Sequence, residues 1–174
     1  MAAPAALCRR LGPAGGCAPV QQLRMPVAAQ RGVTLLEIMF AIAMIAVLSA
    51  IAVPAYRAHL ARVDLNRAIG DVHDIGLSLE RWQLNNGRFP DTLAEAGLGG
   101  RVDPWGNPYR YLNMDGARRG DMRKDKNLVP INTDFDLYSV GKDGESVPPL
   151  TAKKSQDDIV RASNGAFVGL GSEY

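Results

Sequence analysis

Arg31-Gly32-Val33-Thr34-Leu35-Leu36-Glu37 opens the stretch that decides the fold, and an apolar run carries on from it to Val53. From Val33 to Val53 there are 21 residues, of which Glu37 alone is ionisable. About 20 apolar residues at ~1.5 Å rise span a hydrocarbon core of roughly 30 Å, so length and composition predict a single transmembrane helix. A carboxylate four residues into such a helix costs a few kcal/mol in hydrocarbon, which marks Glu37 as a functional residue in need of a partner. The plain alternative is a Glu at the membrane edge that reaches headgroup water.

This stretch resembles the class III signal of the type IV pilin and type II secretion pseudopilin superfamily. Its pattern is a basic residue and Gly, then a hydrophobic residue, Thr, Leu, any residue and Glu. Arg31, Gly32, Val33, Thr34, Leu35, Leu36 and Glu37 meet each position, with Val33 where Phe is usual. The resemblance implies cleavage between Gly32 and Val33 by a prepilin peptidase, which also methylates the new amino terminus at Val33. Residues 1–32 would then be a basic leader, 33–86 a helical spine and 87–174 a periplasmic head.

Charge follows that division. The formal net charge is +2, but residues 1–32 hold Arg9, Arg10, Arg24 and Arg31 with no acid. Their removal takes the 20 basic residues to 16 against 18 acidic ones, leaving the mature chain near −2. That removes a global electrostatic case for nucleic acid. The basic stretch Arg118 to Lys126, interrupted by Asp121 and Asp125, reads as a solvated loop. Both cysteines, Cys8 and Cys17, fall in the leader, so the mature head must be tied by packing or metal rather than a disulfide. Met25 is an alternative start that would shorten the leader. Arginines flank the span on both sides, so charge bias does not orient it, and a cytoplasmic amino terminus rests on the resemblance.

Pro54 follows the apolar run directly. Inside a helix it deletes a backbone hydrogen bond and crowds the preceding turn, so a local loosening is expected there. The helical pattern then resumes: Leu65, Ile69, Val72, Ile75 (or Gly76), Leu79 and Gln83 recur at three- and four-residue steps. Asn85-Asn86-Gly87, with Pro90 beyond, signals its end. The spine would run roughly 50 residues, about 75–80 Å. In the head, Tyr109-Arg110-Tyr111-Leu112 reads as a strand after the Asp103-Pro104-Trp105-Gly106-Asn107 turn. Asp134 to Val140 alternates polar and apolar residues, a second strand. A Pro- and Lys-containing loop, Glu145–Gln156, leads to Asp157-Asp158-Ile159-Val160, and Ala166-Phe167-Val168 offers a last short strand. Gly141-Lys142-Asp143-Gly144 is a turn that closes a hairpin or opens a loop.

The head's landmarks narrow the resemblance. Asp103 to Tyr109, Leu137 to Gly144 and Asp158-Ile159 are similar to successive landmarks of the major pseudopilin of type II secretion. In that family the aspartate of the Gly-x-Asp-Gly turn and a later Asp-Ile aspartate bind calcium with help from backbone carbonyls. The matching positions are Asp143, Asp158 and the carbonyl of Val140. By residue types alone, the alternative is a pair of turn aspartates bonding nearby backbone. The Glu145–Gln156 segment departs from the family's Gly-rich loop, and Arg161-Ala162 stands where Trp-Asn is usual.

Catalysis finds no support in the motifs. There is no Cys in the mature chain, no Gly-x-Ser-x-Gly, no His-rich triad and no phosphate-cradling Gly loop. His59 and His73 read as surface helix residues, too far apart to share a metal. The expected architecture is α+β: a long amino-terminal helix packed on a small antiparallel β-sheet head, pilin-like. The expected role is a non-enzymatic subunit of a periplasmic pseudopilus, held in the inner-membrane bilayer before it polymerises with copies of itself. There Glu37 would pair with the Val33 amino group of a neighbour in low dielectric, and Pro54 would let the helix reshape. The resemblance also implies minor pseudopilins, the prepilin peptidase and an inner-membrane assembly platform as partners. The rival readings are a type IV pilin serving adhesion, motility or DNA uptake, and an anchored periplasmic enzyme or binding domain.

Overall fold

The structure, a computed structural model, describes residues 32–174. Residues 1–31, with Cys8, Cys17, Met25 and Arg31 of the expected leader, lie outside the described residues. By internal packing the chain divides into two units, residues 1–45 and 46–174.

The described part of the first unit is a short extended lead followed by the start of helix α1, which runs Leu35–Asn86. Thr34 sets the helix start. Its Oγ1 accepts the Glu37 N–H at 3.2 Å, and its carbonyl accepts the Glu37 and Ile38 N–H groups at 3.1 and 3.3 Å. A Thr three residues ahead of a Glu is the usual way to satisfy an otherwise orphaned first-turn amide. Every described residue of this unit is exposed.

In the second unit α1 is continuous through Pro54 and on to Asn86. The carbonyl one turn before Pro54 has no N–H to meet, so the loosening expected there is confined to one missing bond within an unbroken helix. Farther along, Ala68, Val72, Ile75, Gly76 and Leu79 are buried at three- and four-residue spacing. The end is capped as the sequence predicts: Gly87 takes a φ of +75°, and its N–H donates to the Gln83 carbonyl at 2.7 Å.

The helix packs on a four-stranded antiparallel meander in the order β1-β2-β3-β4. The strands are β1 (Arg110–Asn113), β2 (Phe135–Ser139), β3 (Ile159–Ala162) and β4 (Phe167–Leu170). Register pairs Tyr111 with Leu137, Tyr138 with Val160, and Arg161 with Val168. Alternate residues point to opposite faces, and both faces are covered. Phe135, Leu137 and Ile159 join Tyr109 and the helix residues Ala68, Val72, Ile75 and Leu79 in one core. Val160 and Ala162 join Ile131 and Leu150 in a second, flanked by Tyr138 and Phe167. The second core is built by the segments between β1 and β2 and between β2 and β3. The Gly141-Lys142-Asp143-Gly144 turn therefore opens a loop, and β2 meets β3 only after it returns.

One sequence expectation fails here. The Arg118–Lys126 stretch is not solvated throughout, because Arg123 is 2 % exposed. Its stem and guanidinium lie over the Tyr138 ring, 4.5 Å from the centroid. A run of charges along the chain carries no sign that the face of β2 lies under one of them.

Candidate functional site

Two regions carry the residues singled out by sequence. The first is the amino-terminal motif. Gly32 has no contact that a Cβ would disturb, with nothing within 4 Å of the position one would take. Among the described residues nothing therefore demands glycine there. Val33 is 65 % exposed, and Glu37 stands exposed in the first turn of α1 with no ion-pair partner among the described residues. Large apolar side chains from Leu35 through Ile51 to Leu60 are exposed in the same way. A shallow apolar depression at Ala52, Val53, Tyr56, Arg57 and Leu60 flanks Pro54. An apolar helix surface of this length is unstable in water and calls for lipid or sister helices.

The second region joins the two long segments of the head. Asp103 is buried and organises the turn after it: Oδ1 accepts the Trp105 and Asn107 N–H groups at 3.0 and 2.8 Å, and Oδ2 accepts the Ser139 hydroxyl at 2.5 Å. Asn107 Nδ2 donates to the Gly141 carbonyl at 3.0 Å. The landmarks around Asp103 and around Ser139-Val140-Gly141 are thus one structural joint. Val140, whose carbonyl was an expected ion ligand, is buried directly after β2.

The expected pair Asp143 and Asp158 takes up separate tasks. Asp143 is exposed, and its Oδ1 accepts the Glu145 N–H at 2.8 Å within the turn. The carboxylate that holds this turn is Asp157, accepting the Lys142 and Asp143 N–H groups at 3.0 and 3.2 Å. Asp158, its neighbour, faces inward and is fully buried. Its Oδ2 accepts the Ser146 hydroxyl at 2.6 Å and is contacted by the Arg123 guanidinium. Burial raises the Asp158 pKa, opposed by the Ser146 hydrogen bond and the Arg123 charge. Burial likewise raises that of Asp136, which accepts the Arg123 backbone N–H at 2.6 Å and the Asn132 amide at 3.0 Å.

Calcium takes six to eight oxygens whose lone pairs point at the ion. At Asp158, Oδ2 already takes the Ser146 O–H and the Arg123 guanidinium, so a fixed positive charge lies against the carboxylate where an ion would have to sit. No cluster of three or more His, Cys, Asp or Glu side chains with metal-holding geometry occurs among the described residues. This donor set does not fit a divalent ion between Asp143 and Asp158. Sequence reasoning missed Arg123, Ser146 and Asp157 because none lies in a motif. The one legible signal was that adjacent aspartates point in different directions.

Residues 27–53 match the family described as the prokaryotic N-terminal methylation motif. The type II secretion system core protein G of Pseudomonas aeruginosa is 30% identical over 137 residues, covering 67% of this chain and 86% of that protein. The same protein of Klebsiella pneumoniae is 31% identical over 135 residues, 75% of this chain and 92% of its own. A type IV major pilin protein of Neisseria gonorrhoeae is 35% identical over 69 residues, only 40% of this chain and 42% of that protein. No solved structure matches the chain.

Proposed function

This chain belongs to the family of type II secretion system core protein G, and we propose that it is the filament-building subunit of a pseudopilus, a structural rather than catalytic role. The observation that carries this reading is the helix surface from Val33 to Leu60. It is apolar and fully exposed in the single chain, with Glu37 the only charge before Arg57. Such a surface is stable in two settings, a bilayer or a bundle of identical helices, and a pseudopilin passes from one to the other. In lipid the head lies on the periplasmic side of the inner membrane. In the filament each apolar helix is reburied by its sisters, and Glu37 finds a cation in the Val33 amino group released by cleavage. A prepilin peptidase is the partner that explains glycine at position 32, since no described residue crowds the place a side chain would take there. Minor pseudopilins and an inner-membrane assembly platform are the further partners of this role. The type IV pilin reading rests on a likeness covering a much smaller share of the chain.

The test separates processing from assembly. Gly32→Asp is expected to leave an uncut, membrane-held precursor, because a charged side chain obstructs backbone approach by the peptidase. Glu37→Leu is expected to be cut and inserted normally, since the span becomes more apolar, yet to lower filament yield at least about tenfold by leaving the buried cation unpaired. Wild-type filament yield from Glu37→Leu would refute the charge-pair assembly. A normally shortened Gly32→Asp chain would refute the processing.

A further inference from the structure

We propose that Arg123 is the resident cation of this head: its guanidinium closes the loops that a divalent ion at Asp143 and Asp158 was expected to close. The inference concerns the head alone and does not rest on the assembly reading.

Four observations converge on it. Arg123 is nearly inaccessible and Asp158 wholly so, so each charge has left water and requires the other. The guanidinium then reaches three places at once. It contacts Asp158 at the head of β3, and it donates to Ser146 Oγ and to the Val147 carbonyl, both at 2.6 Å. Ser146 relays the contact by donating to the same Asp158 oxygen. The backbone of the next residue, Lys124, is stitched to the same partner segment. Lys124 N–H donates to the Pro148 carbonyl, and Leu150 N–H donates to the Lys124 carbonyl, each at 2.9 Å.

The fourth observation concerns the atoms left over. Among the described residues the buried side-chain polar atoms without a partner are Arg123 Nε and Asp158 Oδ1. One is a donor and the other an acceptor, and they sit on the two side chains already in contact. They are the complementary donor and acceptor from which a guanidinium and a carboxylate build a parallel two-bond fork. An orphaned Asp158 oxygen awaiting a metal would have no such complementary orphan beside it. A calcium ion placed there would instead meet a fixed positive charge.

The expectation is a calcium-indifferent fold that depends on Arg123. Thermal melting of the full chain in detergent micelles is to be compared in millimolar calcium and in chelator. The two curves should coincide for the wild type. A cycle of Arg123→Met, Asp158→Asn and the double variant reads the pair itself. Each single variant should lower Tm by several degrees, because it strands one buried charge or its donors. The double variant should recover part of that loss, as removal of both charges leaves neither stranded. A calcium-dependent rise in wild-type Tm that Asp158→Asn erases would overturn the proposal. So would an Arg123→Met chain that melts like the wild type. Where a single variant fails to fold, the return of a cooperative transition in the double variant supports the pairing, and the wild-type calcium comparison stands without any variant.

Discussion

Gly141 shows how tightly one residue can be specified. Its φ is +69°, and a Cβ built there would lie 2.4 Å from the Asp157 carbonyl oxygen and 2.8 Å from its carbonyl carbon. Both are backbone atoms, so no side-chain rotation relieves the clash. The same glycine accepts the Asn107 amide through its carbonyl and donates its N–H to Ser139 Oγ at 3.1 Å. Gly141→Ala is expected to cost about 2–4 kcal/mol, from the left-handed backbone and the overpacking together. A shift in the urea midpoint at unchanged slope measures it, and a wild-type midpoint would mean that the turn relaxes freely. Gly32 is the opposite case. No described residue lies within 4 Å of the place its Cβ would take, and under the proposed function the requirement belongs to the peptidase.

Among the elements, α1 and the sheet are locked by one arginine as well as by the apolar core. Arg161 on β3 is 2 % exposed, lies 3.9 Å from the Phe135 ring centroid, and bonds Asp134 at 2.9 and 2.7 Å and Glu80 on α1 at 3.1 Å. Its stem passes over Gly76, close enough that a Cβ there would be in ordinary contact with it at 3.6 Å. Arg161→Met keeps the stem and loses the charge. The expected cost is about 2–3 kcal/mol, below that of a fully buried pair because Glu80 and Asp134 keep access to water. Hydrogen exchange should show the Val72–Leu79 amides losing more protection than those of β1. An even loss over the whole head would refute a helix-locking role. The sequence displayed the helix face and the β2 alternation because periodicity reports what a backbone element repeats. Arg161 was visible only as a departure from a family pattern, and Arg123 only as a member of a charged run. Their roles depend on which segment passes over which strand, and that relation has no period along the chain.

At the scale of the molecule, the chain combines an exposed apolar helix surface with a head whose cohesion comes from buried polar joints and two small cores. The N-terminal methylation motif and the long apolar helix were legible because contiguous residues carry them. The head's joints were not, since Asp103 meets Ser139, and Arg123 meets Asp158, across more than thirty residues each. The joint between the sheet and the helix also sets how the head responds to alkali. Tyr109 donates its hydroxyl to Asp71 at 3.0 Å, and Tyr111 donates to the Pro90 carbonyl at 2.7 Å. Both phenols are held well above the ordinary tyrosine range. Burial is the main cause for each, followed by the Asp71 hydrogen bond for Tyr109 and the Asp91 charge for Tyr111. An unfolded tyrosine ionises near pH ~10. Below that pH both states keep their phenolic protons, and these groups add no slope. Above it the unfolded chain releases protons that the folded chain retains, so the unfolded state binds fewer protons and stability falls as pH rises. The urea midpoint should therefore decline between roughly pH 10 and 12. Tyr111→Phe should decline less steeply over that window while starting from a lower midpoint, having lost its bond to Pro90. A Tyr111→Phe slope equal to the wild type would show that these phenols are not the groups that set the alkaline limit.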